Sequence, residues 1–137
     1  LLFSSQVSAQ HAIRASRAIA HVGENRVIVD SIYNIKINGD STVYLDLGRT
    51  GGKAALVVVV HMESGVKFDK RALNDFKMTV LEVTGNIVLV ANQPYLVVSK
   101  KGNIFFFSPD INRKWLVLYQ TSVPHYQIAS PRNNSAD

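Results

Sequence analysis

Four histidines, ten carboxylates and no cysteine are the groups able to ligate a metal or move a proton in this 137-residue chain. His11, His21, His61 and His125 stand too far apart for two imidazoles of one element to share a metal. Asp30, Asp46 and Glu82 fall on separate segments and do not form the carboxylate cluster that a metal-dependent nuclease needs. A serine nucleophile would call for a Gly-x-Ser-x-Gly elbow, and the sequence has none. Gly48-Arg49-Thr50-Gly51-Gly52-Lys53 superficially resembles a phosphate-binding P-loop. It is one residue short, carries Ala54 where Ser or Thr would meet magnesium, and runs into an apolar strand rather than a helix. The expectation is a chain without catalysis, metal or cofactor.

Binding chemistry reads more clearly. Single-stranded nucleic acid needs aromatic faces on which bases stack and cations that meet phosphates. Tyr44 and His61 are the candidate stacking groups. Lys36, Arg49, Lys53, Lys100 and Lys101 are the candidate phosphate contacts.

Strands must position these residues. Lys77–Ser99 reads as two strands joined by the turn Ala91-Asn92-Gln93-Pro94, with apolar residues alternating at Val80–Val83 and at Leu96 and Val98. Gly85 interrupts the first of them, which marks a bend or bulge. Arg26–Ile37 is a long strand whose expected core face is Val27, Val29, Ser31, Tyr33, Ile35 and Ile37. Asn38-Gly39-Asp40 is a hairpin turn, and Thr42–Leu47 returns with Val43, Leu45 and Leu47 inward. Ala55–Met62 is nearly continuous apolar strand, with Leu56, Val58 and Val60 facing one way and Val57, Val59 and His61 the other, so either both faces are covered or the outer one is meant to touch something. A helix is predicted over Ala9–Val22, its apolar face Ala15, Ala18, Ile19 and Val22, stopped by Gly23. A second, short helix is predicted at Phe68–Phe76, with Asp69 as its cap. Phe105–Phe107 and Trp115–Tyr119 are expected to form a hairpin across Ser108-Pro109-Asp110 or to cover an open sheet edge.

The net charge of +5 is spread thinly. Between Glu24 and Ile104 ten Lys/Arg face eight Asp/Glu, so a basic face must come from arrangement rather than from composition. Val7-Ser8-Ala9 before Gln10 follows the small-x-small pattern of a signal-peptide cleavage site. The expected division is a signal-peptide remnant at 1–9, a domain with its leading helix at 10–104, the added segment 105–120, and a disordered tail at 121–137. No stretch has the length of a membrane-spanning helix.

The order strand, strand, strand, short helix, strand, strand is that of an OB-fold, the five-stranded Greek-key barrel. His21-Val22-Gly23-Glu24, Tyr44-Leu45-Asp46-Leu47-Gly48, Val83-Thr84-Gly85 and Pro94-Tyr95-Leu96-Val97-Val98-Ser99 extend the match over about Ser16 to Ile104. In these motifs the chain resembles the small exported bacterial OB-fold domains, the kind also found appended to secreted nucleases. It departs from them at His61, where members commonly carry a large aromatic or basic residue, and at Val57 and Val59, where their faces are more polar. The resemblance implies an all-β barrel, a periplasmic or secreted location, and a face on strands two and three that takes an oligonucleotide or an oligosaccharide. The function expected is a non-catalytic binding module for single-stranded nucleic acid or another oligomer, with a nuclease as one conceivable protein partner. The alternative is an assembly module using the apolar outer face of strand three and the aromatic Phe105–Phe107 segment.

Overall fold

The long first strand is present as β1 (Asn25–Asn38), and its buried residues change phase part-way along. The computed structural model describes residues 11–39, 42–61, 70–98 and 103–121. In the first half of β1 the buried residues are Ile28, Asp30 and Ile32, the face expected to point outward. The pairing with β2 (Thr42–Thr50) then slips by one residue between Ile32 and Asn34. Tyr33 is the extra residue of this bulge, and beyond it Ile35 and Ile37 pack against the core as expected. A one-residue insertion inverts which alternate set faces inward, because side chains in a strand repeat every two residues.

β1 also serves two partners. Asn25–Ser31 pairs antiparallel with β4 (Val80–Val90), and Ile32–Asn38 with β2. β4 divides its length in the same way: Val80–Asn86 lies on β1, and Ile87–Val90 lies on β5 (Gln93–Val98). With β2 antiparallel to β3 (Lys53–His61) and β3 parallel to β5, the ring β1-β2-β3-β5-β4 closes on β1. This is a closed five-stranded barrel consistent with an OB-fold. Gly85 stands where β4 passes from one partner to the other. Its φ is not in the left-handed region; the glycine is needed for close approach, since a Cβ there would lie 2.9 Å from Leu96 Cδ2 and 3.3 Å from the Val97 carbonyl oxygen. The β4–β5 hairpin turns on two residues, Ala91 and Asn92, both at positive φ, the twist that matches paired strands.

The helices differ more from expectation. The leading helix is a 3-10 helix of seven residues, Ala15–His21. In a 3-10 helix positions i and i+3 eclipse, so Ala15 and Ala18 are buried while Ile19 and Val22 are 54% and 38% exposed. Residues before it continue as extended chain, and Ile13 pairs with β1 through Ile13 N–H to Val27 O and Val29 N–H to Ile13 O, both 2.9 Å. Asp30 explains its own burial here. Its Oδ2 accepts from Ala15 N–H at 3.0 Å and its Oδ1 from the Arg14 guanidinium at 3.1 Å, tying the start of the 3-10 helix to β1. The helix between β3 and β4 is α1 (Lys70–Asn74), with Leu73 and Phe76 buried beneath it; Asp69, its expected cap, lies outside the described residues.

The expected extra hairpin is a strand and a helix. β6 (Ile104–Phe106) adds to the free side of β4, and α2 (Pro109–Thr121) follows it. Ser108-Pro109-Asp110 therefore begins a helix rather than turning a hairpin: Pro fits the first helical position and Asp favours the first turn. Asn112 Oδ1 accepts from the Phe106 N–H at 3.0 Å, and Trp115 is fully buried. Its ring packs at 5.6 Å from Phe76 and 5.3 Å from Phe106, with Phe76 and Phe106 5.2 Å apart, so three aromatics seal one end of the barrel. The segments expected as signal-peptide remnant and disordered tail lie outside the described residues, apart from Thr121 at the end of α2.

Candidate functional site

Alternation along β2, β3 and β5 puts the core residues Val43, Leu45, Leu47, Leu56, Val58, Val60, Leu96 and Val98 inside. The register then arranges what remains outside in rows. Lys36 pairs with Tyr44, Tyr44 with Val59 and Val59 with Val97; Asn34 pairs with Asp46, Asp46 with Val57 and Val57 with Tyr95. Val57 and Val59 are only 8% and 7% exposed, although they face away from the core. In register Val59 lies beside Tyr44 and Val57 beside Tyr95. Both faces of β3 are thus largely covered, the first of the two alternatives read from its apolar run, and Val57 and Val59 themselves leave little surface for a partner.

The second row opens into a groove of about 450 Å³ whose lining includes Tyr33, Lys36, Asp46, Arg49, Lys53 and Tyr95. The bulge in β1 is what brings Tyr33 out to it. The Arg49 guanidinium lies over the Tyr33 ring, 4.7 Å from its centroid, a cation–π stack. Arg49 and Lys53 flank the β2–β3 turn, where Gly51 and Gly52 both take positive φ. Gln93 braces the opposite wall, its Nε2 donating to the carbonyls of Ala54 and Pro94 at 3.1 Å each. Asp46 lies in the middle, 6% exposed, with Oδ2 3.5 Å from Asn34 Nδ2 and 3.7 Å from Lys36 Nζ. Lys36 is 65% exposed at its side chain, so this pair adds little to stability.

Of the residues picked from the sequence, Lys36, Arg49 and Lys53 come together in the groove. Tyr44 stands beside it in the next row, its hydroxyl accepting from Asn38 Nδ2 at 3.4 Å. It is six residues along the strands from the level of Lys53, about 20 Å. His61 ends β3 outside the groove, exposed, in contact with Thr42 Oγ1 at 3.3 Å. Lys100 and Lys101 lie outside the described residues. Sequence reasoning passed over Tyr33 and Tyr95. Tyr95 was accessible in principle, since Pro94, Leu96 and Val98 inward leave it outward; Tyr33 was not, because only the bulge exposes it. Among the described residues no three His, Asp or Glu side chains cluster so as to hold a metal ion, and no helix is long and apolar enough to cross a membrane.

No protein-family model matches the chain, and no curated protein matches it. Among solved structures it is similar to a protein assigned as an aspartyl-tRNA synthetase in Leishmania major Friedlin, at 15% identity and TM-score 0.48 over 77% of this chain. It is also similar to the aspartyl-tRNA synthetase of Entamoeba histolytica, at 13% identity and TM-score 0.47 over 77% of this chain. The asparaginyl-tRNA synthetase of Pyrococcus horikoshii matches 84% of this chain at 12% identity and TM-score 0.47. The chain spans 22%, 24% and 30% of those three proteins respectively.

Proposed function

We propose that this protein is a binding module, without catalysis of its own, that holds single-stranded nucleic acid along the groove between β1 and β5. One observation carries this reading: Lys36, Arg49 and Lys53 converge on a single open groove that also presents the Tyr33 and Tyr95 rings. Cations supply the phosphate contacts, and aromatic faces accept bases of any sequence. A neutral oligosaccharide would also stack on tyrosines, but it has no use for three converging cations. The small-x-small pattern at Val7-Ser8-Ala9 supports placing the module outside the cytoplasm.

Fluorescence anisotropy with a labelled oligo-dT tests the proposal. Three phosphate contacts on a single strand give a slope of log affinity against log salt of about −2, roughly a 20-fold loss between 50 and 200 mM. Affinity weaker than about millimolar at low salt, or affinity that ignores salt, would be generic attraction or none, and would sink the proposal.

A further inference from the structure

We infer that Asp46 makes the groove selective for guanine, accepting from the N1–H and N2–H₂ groups of its Watson–Crick edge while Lys36 leaves its phosphate contact to donate to O6, with Arg49 and Lys53 still on phosphate. This rests on the nucleic-acid reading above. Asp46 and Asp30 are equally buried, each 6% exposed, and they are treated very differently by their surroundings. Asp30 receives donors at 2.8, 3.0 and 3.1 Å, distributed over both of its oxygens. Asp46 has only the long contacts of Asn34 and Lys36, at 3.5 and 3.7 Å, and both are to Oδ2. Its Oδ1 has no donor among the described residues. That oxygen is not among the buried side-chain atoms left without a partner, so it opens onto the groove that Asp46 lines, where donors of a ligand can replace water.

The order of groups in the groove is a donor, Lys36 Nζ, followed by the two acceptor oxygens of Asp46. Guanine alone among the common bases presents the complement, an acceptor followed by two adjacent donors. Adenine and cytosine offer one amino donor next to a ring nitrogen that would face a carboxylate as acceptor against acceptor. Thymine and uracil place a single donor between two carbonyls. Unpaired bases are read on this edge by proteins that bind single strands, and a paired set of charge-assisted hydrogen bonds is the stronger kind. Tyr95 stands two strands from Asp46, about 10 Å away, which leaves room for a base stacked on its ring to bring an edge to the carboxylate.

The test is anisotropy with a labelled ten-residue oligo-dT in which one central position is dG, deoxyinosine, dA, dC or dT. Deoxyinosine keeps O6 and N1–H and lacks only the N2 amine. The dG strand should bind about tenfold tighter than the deoxyinosine strand, in line with a bidentate base contact. Asp46→Asn should bring those two strands to within about twofold of each other. Equal binding of dG and deoxyinosine strands by the native protein overturns the inference, as does a dG preference that survives in a folded Asp46→Asn. The inosine comparison needs no protein variant, so a variant that fails to fold does not rescue the idea. Salt-dependent binding of every strand with no base preference leaves the proposed function standing and removes this inference alone; binding of none removes both.

Discussion

Gly85→Val is the sharpest test of how the barrel closes. The added Cβ would lie 2.9 Å from Leu96 Cδ2 and 3.1 Å from its Cγ, with the Val97 carbonyl oxygen at 3.3 Å. Carbon atoms in contact prefer about 3.5–4.0 Å, so the overlap is more than half an ångström before valine's two methyl groups are counted. Leu96 cannot swing clear, because it is fully buried in the core cluster, and the Val97 carbonyl is backbone. Overpacking of this kind costs about 1–3 kcal/mol. A small offset of about 0.4–1 kcal/mol comes from restricting the unfolded chain. The net loss expected is about 1–2 kcal/mol, which for a domain of this size lowers Tm by roughly 4–7 °C. Thermal unfolding followed by circular dichroism reads it directly. The cause is isolated by Leu96→Ala, which should cost about 2–4 kcal/mol alone and distinctly less in the Gly85→Val background, because it removes the atoms being struck. A Gly85→Val protein melting within 2 °C of native, or a Leu96→Ala cost that is the same in both backgrounds, would refute the argument from close approach.

Asp30→Ala should destabilise by about 1–3 kcal/mol in urea unfolding, since the Ala15 N–H loses its acceptor inside the protein; a change below about 0.5 kcal/mol would make the tie dispensable. Tyr95→Ala should weaken oligo-dT binding about five- to a hundredfold by loss of one stacking surface, and Tyr44→Ala should weaken it less, because Tyr44 stands beside the groove; the reverse order would move the site toward Tyr44. Lys53→Ala should flatten the salt slope by about 0.7, one phosphate contact, whereas an unchanged slope would take Lys53 out of the contact set. For the proposed export, N-terminal sequencing of the full-length product made in a Gram-negative host should find mature protein beginning near Gln10; an uncleaved cytoplasmic product would end that proposal.

The barrel was legible in the sequence because most of its strands have one unambiguous inner face. Val43, Leu45 and Leu47 alternate with polar neighbours, and the structure buries all three. β1 was not legible in the same way. Val27, Ile28 and Val29 are apolar in both phases, so alternation cannot choose between them, and the phase carrying Asp30 was expected to face outward. It faces inward because Asp30 finds partners in Arg14 and Ala15, residues outside the strand. The same bulge that restores the expected phase at Ile35 puts Tyr33 into the groove, which hid one of the two groove tyrosines. The cations were easier, since Arg49 and Lys53 flank a turn and turns are exposed. The helices misled through their period: Ala15, Ala18, Ile19 and Val22 suit a 3.6-residue repeat, and the chain adopts a tighter one that keeps only the alanines in.

The division of β1 between two neighbours also sets the order in which the barrel can assemble. Its second half meets β2 across a short turn, but its first half waits for β4, and Asn25 and Asn86 are 61 positions apart in the chain. Pairings of such separation must overcome loop-closure entropy before they contribute anything, so they are slow. As the chain is synthesised, the β1–β2–β3 meander is complete while the other half of β1 still lacks its sheet partner, with Val27, Ile28 and Val29 uncovered. Unpaired apolar strand is where chains aggregate. Among the described residues the backbone neighbour already synthesised is Ile13, whose two hydrogen bonds to Val27 and Val29 lie on the other side of the strand from β4, next to the Arg14 and Ala15 that hold Asp30. A residue that looks incidental in the finished barrel is therefore the earliest guard of its slowest seam.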